Sequence, residues 1–138
     1  MTPEQSKRAV IDAWKVFGSR DAQRIAAVFT EDAEWLAPKG NATAVALNFT
    51  DHMIGRAVIV KFLAEEFHKL FVGDVSVEFR GIYCDGHTVI LEERMQATLA
   101  NGRRYDNNYC FFFELTDGRI SKVREYMDTQ KGRECIFG

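Results

Sequence analysis

The fold class this sequence predicts is α+β: a curved antiparallel sheet wrapped around N-terminal helices. Three observations carry that expectation. Apolar residues recur at helical spacing in the first half of the chain, alternating strand patterns fill the second, and turn dipeptides cut that second half into hairpins. The length of 138 residues suits one domain with one core, and no repeat or linker interrupts residues 1–138.

The elements follow in order. Thr2-Pro3-Glu4-Gln5 reads as a helix start, with Thr2 as N-cap, Pro3 at the first helical position and Gln5 reaching back in a capping box. Val10, Ile11, Trp14 and Phe17 then share a helical face, and Gly18 ends the helix. Asp21 caps a short second helix that buries Ile25, Val28 and Phe29. Residues 32–38 form a strand candidate, stopped by Pro38 because that position has no N–H for the ladder. Residues 39–54 begin like a loop, while their AVALNF run fits either a short helix or a strand. So long a connection in a small domain points to a functional role. Gly55-Arg56 leads into a third helix, Ala57 to about Phe71, with Val60, Leu63, Ala64, Phe67 and Phe71 on its buried side. Asp85-Gly86, Asn101-Gly102 and Asp117-Gly118 are hairpin signals, giving strands at 75–84, 87–99, 103–115 and 119–128.

Composition excludes several partners. A net charge of -2 with no basic stripe argues against nucleic acid. No apolar run is long enough to span a membrane. The start MTPEQSKRAV lacks the apolar core of a secretory signal, so the expected location is the cytoplasm. Cys84, Cys110 and Cys135 form no CxxC pair and read as reduced thiols, the first two as small buried hydrophobes. His52, His68 and His87 have no metal-ligand spacing, so no metal is expected.

The strand faces are the informative part. On strand 87–99, Val89, Leu91, Met95, Ala97 and Leu99 share one face, interrupted only by Glu93. The opposite face carries Ile90, Glu92, Arg94, Gln96 and Thr98. On the last strand, Arg124, Tyr126 and Asp128 share one face and Val123, Glu125 and Met127 the other. Either the polar rows meet water and pair with one another, or they line a cavity on the helix side. Strand 103–115 is apolar on both faces through Tyr109, Cys110, Phe111, Phe112 and Phe113, which predicts a homodimer packed through the outer sheet face.

The order of elements, the Gly55-Arg56-Ala57-Val58-Ile59 helix opening and the Gly118-Arg119-Ile120 to Arg124-Glu125-Tyr126-Met127-Asp128 ending resemble the nuclear transport factor 2-like superfamily. Within it the pattern is most similar to the SnoaL-like branch, which includes polyketide cyclases and neighbours limonene-1,2-epoxide hydrolases and ketosteroid isomerases. The resemblance runs from about Lys7 to Asp128. It implies a cone of curved sheet around three helices, an apolar pocket, frequent dimerisation, and no cofactor. It does not by itself fix function, because the fold serves many.

Carried over residue by residue, the resemblance makes Asp128 the acid/base, with Arg94 and Gln96 as hydrogen-bond donors beside it. Gln96 stands where the epoxide hydrolases need a carboxyl, and Ala37 where the isomerases place their base, so those two mechanisms are disfavoured. Trp35, Tyr126, Tyr109 and His52 are the candidate substrate contacts, His52 as part of a lid formed by 38–54. Two functions stay open: proton-transfer chemistry of isomerase, cyclase or lyase type on a hydrophobic carbonyl compound, or non-catalytic binding of an apolar metabolite. A dimeric interaction module is the third.

Overall fold

The computed structural model describes residues Met1–Gly138. Its elements are α1 (Pro3–Phe17), α2 (Ala22–Ala27), β1 (Phe29–Leu36), α3 (Ala42–Leu47), β2 (His52–Ile54), α4 (Arg56–Lys61), a π turn (Phe62–Glu66), α5 (Phe67–Leu70), β3 (Phe71–Asp85), β4 (Thr88–Leu99), β5 (Arg104–Thr116), β6 (Arg119–Met127) and α6 (Thr129–Phe137). The class is α+β, as the sequence predicts, with one six-stranded sheet in the order β2-β1-β6-β5-β4-β3.

Local chemistry sets the boundaries. Both halves of the capping box at Thr2 and Gln5 are made. The Asp21 carboxylate accepts from the backbone N–H groups of Gln23 and Arg24 to start α2. Asp117 and Gly118 both take positive φ, 51° and 79°, the combination a tight hairpin turn requires. Between α4 and α5 the Phe67 N–H donates to the Phe62 carbonyl five residues back, a π turn. Widened turns of this kind recur at functional sites; here Phe62, Leu63 and Phe67 all reach the cavity.

Three segments go beyond or depart from expectation. Within residues 39–54 the apolar run takes the helical alternative: Asn41 caps α3, and β2 then forms a short antiparallel ladder with β1. The last strand ends at Met127, and Asp128 caps a further helix, α6, by accepting from the Lys131 N–H. β1 starts at Phe29, earlier than predicted, and runs parallel to β6 beside it. Cys84 and Cys110 are half-buried. No helix is long and apolar enough to cross a membrane.

The core lies between the concave side of the sheet and the helices. Val10, Phe17, Ile25 and Ile59 from the helices meet Leu91, Phe113 and Val123 from the strands, all in one buried cluster. The aromatic residues concentrate there, with Trp14 to Phe111 at 4.9 Å and Phe17 stacked on Phe29 at 5.6 Å between ring centroids.

Candidate functional site

A cavity of about 250 Å³ remains between the sheet and the helices. Its walls are apolar, with Trp14, Phe17, Trp35, Phe62, Phe67 and Phe111 among them, and two acids, Glu93 and Glu125, reach it from the sheet. No Lys, Arg or His lines it.

Strand pleat and one bulge aim those acids inward. On β4, Val89, Leu91, Glu93, Met95, Ala97 and Leu99 are all buried, so Glu93 shares the core face. On β6, Leu115 pairs Ile120 but Glu114 pairs Lys122, a two-against-one irregularity at Ser121. Ile120 and Val123 are both buried as a result. Alternation counted from Ile120 would turn Arg124 and Tyr126 inward; the extra residue reverses the face and turns Glu125 inward. Glu93 faces Tyr109 and Glu125 faces Phe111 in the ladder, which puts two strand spacings, about 10 Å of sheet, between the two acids' strands.

The two carboxyls are held in different states. Glu93 is 2% exposed and its Oε2 has no hydrogen-bond partner. Burial, with the Glu125 charge adding to it, lifts Glu93 from 4.5 to about 9, so it is a neutral acid at pH 7. Burial also raises Glu125 to about 7, opposed by the Trp35 indole, whose N–H donates to Oε1 at 2.8 Å. Glu125 itself is half-buried, one of the residues that line the cavity. One carboxyl is thus an acid near neutrality while the other is poised between acid and base. Environments that separate two carboxyls in this way mark acid–base assignments.

A buried hydroxyl network supports the floor. Tyr109, on the cavity wall, shares a 2.5 Å hydrogen bond with the Tyr105 hydroxyl. The Asn107 amide donates to the Tyr105 hydroxyl at 3.1 Å and to the Asp128 carbonyl at 3.0 Å. Burial raises both phenols above their ordinary range, so they remain neutral donors.

Of the residues the sequence singled out, Trp35 and Tyr109 line the cavity. The others do not. Arg94 lies on the outer face, paired with Asp106 through two bonds of 2.8 and 2.6 Å. Gln96 is on the same outer row, opposite Ser76 and Asp106. Tyr126 is 52% exposed, its ring edge-on to Phe112. Asp128 is exposed and serves as the α6 cap. His52 is exposed on β2 and meets Glu34 at 2.9 Å; from the 38–54 segment it is Thr43 that reaches the cavity. The two faces of the sheet differ in what covers them. The apolar row, with its interrupting glutamate, packs on the helices, and the polar row faces away. Glu93 and Glu125 are legible in the sequence as acids set in apolar rows. No three His, Cys, Asp or Glu side chains come together in a cluster able to hold a metal.

A curved, open sheet closed by helices over an apolar cavity defines the nuclear transport factor 2-like class of fold. The model of the SnoaL-like domain matches residues 8–123, and the chain belongs to that family. No curated protein matches the sequence. Among solved structures, it is similar to a nuclear transport factor 2-like protein of unknown function from Burkholderia pseudomallei K96243, at 15% identity over 100% of both chains and TM-score 0.83. It is also similar to TerC co-crystallised with polyporic acid, at 22% identity over 97% of this chain and 99% of that one, TM-score 0.80. A third is an epoxide hydrolase of M. tuberculosis, at 20% identity over 97% and 90%, TM-score 0.72. At these identities the likeness establishes fold.

Proposed function

We propose that the protein is a proton-transfer enzyme acting on a small hydrophobic carbonyl compound, of isomerase, cyclase or lyase type, with Glu125 as the acid/base. The observation that carries this reading is the pair of inward acids with separated protonation states in an apolar cavity. Glu125 as carboxylate takes a proton from the carbon beside the carbonyl; the electron pair of that C–H bond forms the new C=C bond, and the carbonyl π pair moves onto oxygen as an enolate. The neutral Glu93 carboxyl and the Tyr109 hydroxyl are the donors for that oxygen. Glu125 then returns the proton to carbon or oxygen. A base with pKa near 7 is matched to this work. Trp35 orients the carboxylate through its indole N–H. The neighbouring structures in complex with polyporic acid and with epoxide hydrolase activity support small-molecule chemistry on this fold.

The test does not require the natural substrate. Cyclic ketones such as 2-tetralone are incubated in deuterium oxide, and deuterium entry beside the carbonyl is followed by NMR. Exchange is expected to accelerate with wild-type protein, rise with pH through about 7, and fall at least 100-fold in Glu125→Gln. Binding without exchange would leave the alternative, a non-catalytic pocket for an apolar metabolite.

The same reading includes a homodimer through the outer sheet face and a cytoplasmic setting. Supporting the dimer, Tyr83, Ile90 and Phe112 lie side by side across β3, β4 and β5, and Tyr126 and Cys110 are paired on the next row. Tyr83 is 54% exposed and Tyr126 52%. Light scattering at micromolar concentration is expected to give twice the 15.8 kDa chain mass.

A further inference from the structure

The cavity has a chemical bias that carbonyl chemistry does not use. Every ionisable side chain on its wall is an acid: Glu93 and Glu125, with the Tyr109 phenol beside them. The rest is predominantly aromatic, and the rings are set at close quarters, Trp14 to Phe111 at 4.9 Å and Trp35 edge-on to Phe111 at 6.0 Å. Glu93 Oε2 is a buried acceptor without a partner, and Trp35 engages Glu125 through Oε1. An anion here would lose its hydration and meet only negative or neutral groups. A cation would meet a counter-ion and the electron-rich faces of several rings.

We propose that this pocket selects its ligands by charge and takes a hydrophobic amine, bound as the ammonium ion against Glu125 with its apolar body among the aromatic walls. The ammonium has three N–H donors and no acceptor. One goes to the Glu125 carboxylate, of which Trp35 engages only Oε1. At about 250 Å³ the space suits an amine of one or two rings. The inference stands apart from the proposed catalysis, because it needs Glu125 as a charge and no proton transfer to carbon.

Three probes of similar shape separate the possibilities: 2-phenylethylamine, 2-phenylethanol and 3-phenylpropanoate, titrated by calorimetry at pH 7.5 and by the fluorescence of Trp14 and Trp35, both on the cavity wall. The amine is expected to bind at least 10-fold tighter than the alcohol, and the carboxylate more weakly than either. In Glu125→Gln the amine's advantage should shrink to within about two-fold while the alcohol binds as before, which also shows that the variant keeps its pocket. Lowering the pH to 5.5 should have the same effect in the wild type, since Glu125 is then protonated. The groups facing it that bear on this are Glu93 from β4 and Tyr105 and Tyr109 from β5, with no charged side chain from the helices lining the cavity. Equal binding of amine and alcohol, preference for the carboxylate, no binding of any probe, or an undiminished amine preference in Glu125→Gln each overturns the proposal. Amine selectivity without ketone exchange would leave this inference standing and remove the catalytic one; exchange without selectivity would do the reverse.

Discussion

Replacing Glu93 by glutamine should flatten the dependence of stability on pH. In the folded protein Glu93 holds its proton up to about pH 9, whereas the same carboxyl in the unfolded chain titrates near 4.5. Between those values the native state binds one more proton than the unfolded state. Its raised pKa therefore contributes stability that is complete below 4.5 and is lost progressively as pH rises to about 9. The slope for one such group is about 1.4 kcal/mol per pH unit, so about 4 kcal/mol is lost from pH 5 to pH 8. Glutamine has nearly the same shape and no charge to gain. It sets an amide where an acid was, a pH-independent change on the order of 1 kcal/mol. Glu125 is present in both proteins and drops out of the difference to first order. Urea unfolding of both proteins at pH 5.5, 6.5, 7.5 and 8.5 is the assay. The variant's stability relative to wild type should climb steadily with pH, at half the full slope or more. Parallel pH profiles would mean that Glu93 is ionised in the folded state, and the reasoning about a neutral acid in the cavity would fall with it.

Other expectations test the remaining parts of the site. Trp35→Phe removes the indole donor that holds Glu125 down, so the midpoint of any Glu125-dependent binding or exchange should move above 7, with a stability loss on the order of 2 kcal/mol from the trimmed core; an unmoved midpoint would show that the bond does not tune the acid. Asp128→Ala should cost about 1 kcal/mol in urea melts by removing the α6 cap, and Asp128→Asn almost nothing, because an asparagine oxygen accepts the same bond. Loss of ketone exchange in Asp128→Asn with stability intact would return catalysis to that residue. Arg94→Ala should leave probe affinity unchanged and lower the melting temperature only slightly, since its partner Asp106 is also on the outer face.

How much of this was legible follows from which forces act locally. The caps at Thr2 and Asp21 and the turn at Asp117-Gly118 are decided by neighbouring backbone groups, and the sequence displays them directly. The helix at 42–47 was half legible: Asn41 is a proper cap, but the six-residue element is too short to show a period, and its packing against α6 is long-range. The parallel pairing of β1 with β6 leaves no local trace at all.

The site turned on a choice between two faces, which alternation alone leaves open. On β6 the bulge at Ser121 shifts the phase, so the stretch from Val123 onward has to be anchored on its own apolar residues, Val123 and Met127, not on Ile120. Anchored so, the inward acid is Glu125. The same rule on β4 gives Glu93 at once, flanked by Leu91 and Met95. A carboxyl in the middle of an apolar row is costly to bury, by a few kcal/mol where it stays protonated and more where it does not. A polar row on the outside costs nothing and needs no explanation, as the Arg94–Asp106 and Arg124–Glu114 pairs illustrate. The interrupting acid is therefore the informative residue, and the regular polar row beside it lies on the outer face of the sheet, away from the helices.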